Sequence, residues 1–257
     1  MLSARSGVGV NAHGHLGLFH RRWSKSQFMA LLIFLLVMSI QSARLGLSGL
    51  IVELAQLEMD RWGVSARPQP MAEINRVAGY LGDSLGYFPS NPWALEGLGR
   101  LDLARMRVSK APQEALAFAQ DAGKRFREAL RERPTSPFLW ANLALSKLYL
   151  DELDAEFFAA LRHADELGPW EPSTQQVVLF AALAAWHRLD TGQRESVVRL
   201  VERGALRNSL KIFEIVKNYR RFDLVCGLSS YDVIAGPDCR KTAAAPKAVL
   251  PKDRGKR

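Results

Sequence analysis

Eighteen consecutive residues, Ser26 to Ala43, carry no charged side chain, with Arg21, Arg22 and Lys25 just before them and Arg44 just after. The run reads as a helix that crosses a membrane. Phe28, Leu31, Leu32, Ile33, Phe34, Leu35, Leu36, Val37 and Ile40 favour insertion by about 3 to 5 kcal/mol, at roughly 0.3 to 0.6 kcal/mol each. That outweighs Gln27, Gln41 and the serines in the same stretch. As a helix the run covers about 27 Å, the short end of what a bilayer needs. Leu45, Leu47, Leu50 and Ile51 lengthen it if Arg44 snorkels.

A cleaved secretion signal shares the basic start and apolar core. A cut after Ala43 would leave Gln41 where a small residue belongs, so the segment is read as an uncleaved anchor. Residues 1 to 25 hold four basic residues and no acidic one, which keeps that end cytoplasmic under the positive-inside rule. The remainder is then expected in the periplasm, with the anchor in the inner membrane. The divisions are a basic segment 1–25, a transmembrane helix 26–46, a juxtamembrane helix and linker 47–75, a helical domain 76–232 and a flexible basic tail 233–257.

A net charge of +9 would ordinarily raise nucleic acid as a partner. The excess sits at the ends: residues 1–25 contribute +4 and residues 240–257 contribute +6, leaving −1 for residues 26–239. No basic stripe is implied for the folded body, so no nucleic-acid partner is expected. The tail, with Pro246 and Pro251, reads as a solubilising end, or as a weak contact for acidic polysaccharide or lipid.

Between anchor and tail the pattern is helical throughout: apolar residues recur at spacings of three and four between Pro, Gly and Asn breaks, and no alternating β-branched run appears. An all-α fold of antiparallel neighbours follows. Asn91-Pro92 opens one helix and Pro112 the next, which ends ahead of Pro134. A third runs from Ser136 to about Leu150 with Trp140, Leu143, Ala144 and Leu148 inward. Asp154 caps a fourth that stops at Gly168-Pro169. Ser173 or Thr174 starts a fifth that runs through Trp186, Thr191 caps a sixth, and Ser209 opens a last pair.

These pairs resemble tetratricopeptide repeats, 34-residue helix-turn-helix units stacked into a solenoid. Phe126, Ala129 and Pro134 match the end of a second helix, followed by Trp140, Leu143 and Ala144. Ala164, Leu167 and Pro169 repeat the closing pattern 35 residues on. Departures are the 47-residue interval from Trp93 to Trp140, Lys147 where the family prefers an aromatic, and Gln175 in the tryptophan place. More narrowly, the stretches Phe138 to Pro172 and Tyr219 to Leu228 resemble the VpsP-like family of bacterial membrane proteins encoded with exopolysaccharide biosynthesis genes. The resemblance implies a part in making or exporting a surface polysaccharide, in contact with protein partners of that complex. The runner-up is an adaptor of another envelope assembly, such as a secretion, pilus or cytochrome-maturation complex.

Catalysis is not expected from a repeat whose concave face binds peptides or helices, and no catalytic residue, metal or cofactor is assigned. Asp151, Glu152, Asp154 and Glu156 are an acidic cluster explained by capping and solvation, since glycoside chemistry needs two carboxylates in one cleft. His13, His15 and His20 lack a scaffold for metal, and His163 and His187 read as surface or boundary residues. Cys226 and Cys239, 13 apart, are read as a disulfide that closes the end of the domain. The alternative is a buried Cys226 and a free Cys239. Trp140, Trp170 and Trp186, with Phe138, Phe157 and Phe180, are either core or an aromatic sugar platform. Trp170, beside Pro169 and Pro172, is the one expected to be exposed and is the candidate for glycan or partner contact.

Overall fold

The computed structural model describes residues 24–64, 68–231, 234–236 and 239–240. The histidines His13, His15 and His20, most of the basic N-terminal segment and the tail beyond Arg240 lie outside the described residues. Among the described residues the chain is helical, without a strand.

The first helix, α1 (Lys25–Val64), is apolar enough over its first part to span a membrane, with a mean hydropathy of 2.0 and nothing buried along its most apolar window. It does not break at residue 46. By compactness, residues up to Ala43 form one unit and residues from Arg44 a second. Within the second unit, Ser48, Val52, Ala55 and Met59 recur at spacings of four, three and four, a single face of the helix. That face packs against Ile74, Val77, Ala78 and Leu81 of α2 (Met71–Tyr87) and Ala94, Leu98 and Leu101 of α3 (Pro92–Val108). The helical domain therefore begins inside α1, before the expected boundary at residue 76.

A buried polar knot fixes this junction. Asn91 caps α3 by accepting from the Trp93 and Ala94 amides at 3.0 and 3.4 Å, and its amide donates to Ser48 Oγ at 2.8 Å. The Ser48 and Ser84 hydroxyls are 2.8 Å apart, and Ser84 also donates to the Ser48 carbonyl at 3.0 Å. Satisfied in this way, three buried polar groups hold three helices in one register.

The remaining helices are α4 (Pro112–Glu132), α5 (Pro137–Tyr149), α6 (Ala155–Leu167), α7 (Pro172–Ala184), α8 (Thr191–Gly204) and α9 (Ser209–Asn218). Connections of three to six residues join them, short enough that sequential neighbours pack antiparallel. The pairs α3–α4 and α5–α6 are the most intimate, and α5 also packs on α4 and α7, as stacked helix pairs do. The α3–α4 pair is close because Gly99 faces Phe126: a Cβ at Gly99 would lie 2.6 Å from the ring. The larger core runs from Leu95 through Phe126, Leu139, Phe157, Leu179 and Leu200 to Tyr231.

Asn91 and Asp154 cap their helices as expected, and Ser136 caps α5, each accepting from amides of the first turn. Three expectations are corrected. The fifth helix starts at Pro172, ahead of Ser173 and Thr174, with Glu171 at the cap position and no side-chain cap bond. It ends at Ala184, so Trp186 sits in a short 3₁₀ turn, Trp186–Arg188. The cap of α8 is Asp190, not Thr191: Asp190 accepts from the Gln193 amide at 2.8 Å and Gln193 returns to the Asp190 amide at 2.9 Å, a reciprocal capping box. Ser209 opens α9, followed among the described residues by short 3₁₀ turns at Phe222–Leu224 and Ser229–Tyr231 and by helical residues at 234–236 and 239–240.

The packed domain extends past residue 232: Ala235 is buried, and Ile234 and Cys239 lie against the core. Cys226 and Cys239 are joined in a disulfide, with Cα atoms 5.6 Å apart. Between them Tyr231 is fully buried and donates its hydroxyl to the Val201 carbonyl at 3.0 Å. Burial pushes this phenol well above its ordinary pKa, so it stays a donor.

Candidate partner-binding groove

The odd-numbered helices α3, α5 and α7 share one face of the stack, and a groove of about 320 Å³ runs across it. Arg107 from the end of α3, Leu145 and Tyr149 from α5, and Gln176, Val177 and Phe180 from α7 line it. Helical spacing puts them there: Leu145 and Tyr149 are four apart, as are Gln176 and Phe180. Leu145 is buried floor, whereas Tyr149, Gln176, Val177 and Phe180 are half-buried rim and Arg107 is exposed. Phe180 meets Tyr219 edge-on at 5.8 Å, which extends the aromatic wall onto the end of α9. Burial, and after it the neighbouring Tyr149, hold the Tyr219 phenol above its ordinary pKa. An apolar floor with phenol, amide and guanidinium groups at the rim suits an extended segment or a helix of a protein.

The acidic cluster turns out to be an ion-pair cage. Lys147 ends an unbroken run of seven buried residues that starts at Ala141; its side chain is only 3% exposed, and its ammonium lies 2.9, 2.9 and 3.0 Å from Glu152, Asp154 and Glu156. Burial pulls its pKa down and the three carboxylates more than reverse this, holding it at about 12. Arg127 grips Glu156 with two 2.8 Å bonds and, with Lys147, holds that carboxyl down at about 2. Burial pushes Asp154 up, but the Phe157 amide and Lys147 leave it below its ordinary value. A general acid needs a raised carboxyl. This cluster is built the opposite way, and it clamps the α5–α6 turn to α4. Asp151, at φ 57°, makes the turn and takes no part in the cage.

The aromatic candidates do not assemble. Phe157 is core and meets Phe158. Trp140, expected inward, is half-buried: its ring lies 4.8 Å from His163 and its indole donates to the Pro134 carbonyl at 2.8 Å. Phe138 lies under Arg100, and Trp186 under Arg221 at 3.7 Å and Arg194 at 5.4 Å. His187 is exposed beside Trp186. Trp170 is 46% exposed, on a turn pinned from behind by Gln175 and Arg203, which both donate to the Pro169 carbonyl, at 2.8 and 3.3 Å. Gln175, in the tryptophan place, therefore serves as a turn anchor. Each tryptophan has its own surroundings, so a continuous sugar platform is not formed.

Of the lining residues the sequence singled out only Phe180; Leu145–Tyr149 and Gln176–Phe180 keep helical spacing, but Arg107 and Val177 do not follow it. The cage partner Arg127, 29 residues from Glu156, left no local signal. Comparison with protein-family models, with curated proteins and with solved structures finds no match to this chain.

Proposed function

We propose that this protein is a single-pass inner-membrane scaffold of an exopolysaccharide synthesis or export machine, recruiting a protein partner into the α3–α5–α7 groove from the periplasmic side. One observation carries the reading: a peptide-sized groove on a helix-pair domain whose first helix continues from a span-length apolar segment. The Cys226–Cys239 bridge supports the address, because such bonds persist in oxidising compartments. So does the basic, acid-free N-terminal segment. The polysaccharide connection rests on the VpsP-like resemblance of residues 138–172 and 219–228.

The test places a photo-crosslinking residue at Tyr149 or Gln176 in living cells, identifies the attached protein, and measures polymer from a deletion strain. The expected result is a glycosyltransferase or polymer-export component as adduct, and polymer restored by the natural chain but not by a membrane-inserted Tyr149→Asp, Phe180→Asp variant. An adduct with secretion, pilus or cytochrome-maturation components, with polymer unaffected, would replace this reading with the adaptor role in another envelope assembly.

A further inference from the structure

Past Arg44, α1 keeps a second apolar line on the side opposite its packed face. Leu47, Leu50, Leu54 and Leu57 stand at spacings of three, four and three, and all four are exposed, Leu50 by 58%. The packed residues Ser48, Val52, Ala55 and Met59 fall between them in the heptad, at positions that face away from such a seam. In sequence the same seven-residue register continues backward through Ile33, Leu36, Ile40 and Ala43, so four successive heptads carry an apolar pair. Only past Arg44 does the line stand out, because there Glu53, Gln56, Glu58 and Asp60 separate its leucines on the exposed side. A line of this width is the pattern of a helix that pairs with another helix, narrower than the stripe that faces a globular core.

Lipid does not account for the line from Leu50 onward. Glu53 and Asp60 flank it on one side and Glu58 on the other, with Arg61 at its end, and charged side chains are costly in hydrocarbon. A helical seat flanks the seam as well. Ile51, Leu54, Leu57, Glu58 and Arg61 of α1, with Tyr80 and Asp83 of α2, line a groove along this edge. In a parallel pair Glu53 of one helix would approach Glu58 of the other, a like-charge contact in isolation. Glu58 is paired with Arg76 at 3.1 Å, a guanidinium shared with Glu73 and lying over the Tyr80 ring, which offsets part of that repulsion.

We propose that the seam Leu47–Leu50–Leu54–Leu57 is the dimerisation interface of this protein, occupied by the same seam of a second copy in a parallel, in-register pair. A second copy is the one partner certain to carry the same heptad register, and an anchor in a common bilayer presents it in parallel orientation at high local concentration.

Adding one cysteine at a time to the full-length protein in native membranes, with Cys226 and Cys239 left bridged, tests this. In a parallel pair identical seam positions face each other, so oxidation should yield dimer several-fold more efficiently at Leu50→Cys and Leu54→Cys than at the off-seam control Gln56→Cys. Leu50→Glu combined with Leu57→Glu, changes at exposed positions that leave the packed face intact, should convert the protein in detergent from dimer to monomer mass by light scattering. Equal cross-linking at all three sites, no cross-linking at any, or quenching of a Leu54→Cys fluorophore by labelled lipid chains would overturn the proposal. The readouts are independent of polymer output, so they stand whether or not the scaffold reading does.

Discussion

Lys147→Met isolates the least expected feature of this domain. The substitution removes an ammonium lying 2.9, 2.9 and 3.0 Å from three carboxylates while keeping most of the buried stem's volume, so little cavity is created. Deleting one partner of a buried pair costs about 3–5 kcal/mol when the orphaned charge stays buried. Here the orphaned groups are the carboxylates of Glu152, Asp154 and Glu156, all substantially exposed and able to rehydrate, which scales the loss to about 2 kcal/mol at neutral pH. A second signature separates electrostatics from packing. Glu156 is held at about 2 against an ordinary 4.5, so its contribution to stability is complete above 4.5 and disappears as pH falls toward 2. Because its side chain is 40% exposed, solvent screening trims that contribution to about 1 kcal/mol. The variant has already lost one of the two cations responsible, so Glu156 titrates nearer its ordinary range. The gap between natural chain and variant should therefore narrow on going from pH 7 to about pH 3. Urea unfolding of the full-length protein in detergent, followed by helical circular dichroism at both pH values, measures this. A variant within about 0.5 kcal/mol of the natural chain at pH 7, or a gap that does not change with acid, would refute the cage as a stabilising device.

Cys226→Ser should cost about 3 kcal/mol, from the loop of 13 residues that the bridge closes, and lower the melting temperature by about 6–12 °C. Dithiothreitol should reproduce the shift in the natural chain and leave the variant unmoved. Trp170→Ala, at an exposed turn, should leave the stability within about 0.5 kcal/mol of unchanged. If Trp170 contacts glycan, retention on immobilised polymer should fall; unchanged retention removes that role.

The helix starts at Asn91-Pro92, Ser136-Pro137 and Asp154 were readable because a cap and its amides lie within three residues, so the chemistry is local. Asp190 and Thr191 are adjacent cap formers, and the deciding residue was Gln193, whose return bond completes the box. Trp186 continued the apolar period of α7, but the chain tightens into a 3₁₀ turn there, where Arg194 and Arg221 cover the indole. Lys147 fell on an inward position, and its charge argued for the surface; what satisfies it comes from the next turn and helix, and Arg127 of α4 completes the cage. Of the groove, only Phe180 stood out in sequence. That α3, α5 and α7 share a face depends on which helices stack, and no single segment carries that information.

The bridge between Cys226 and Cys239 also bears on how the molecule is completed. Synthesis runs from the amino end, so the second thiol emerges after α9 and after Tyr231, whose hydroxyl docks on the Val201 carbonyl. A product halted after Tyr231 but before residue 239 keeps α1 to α9 yet leaves Cys226 as an open thiol. The closed loop thus marks chains that have passed residue 239, and a thiol-reactive label would sort those stopped between the two cysteines from those that went on.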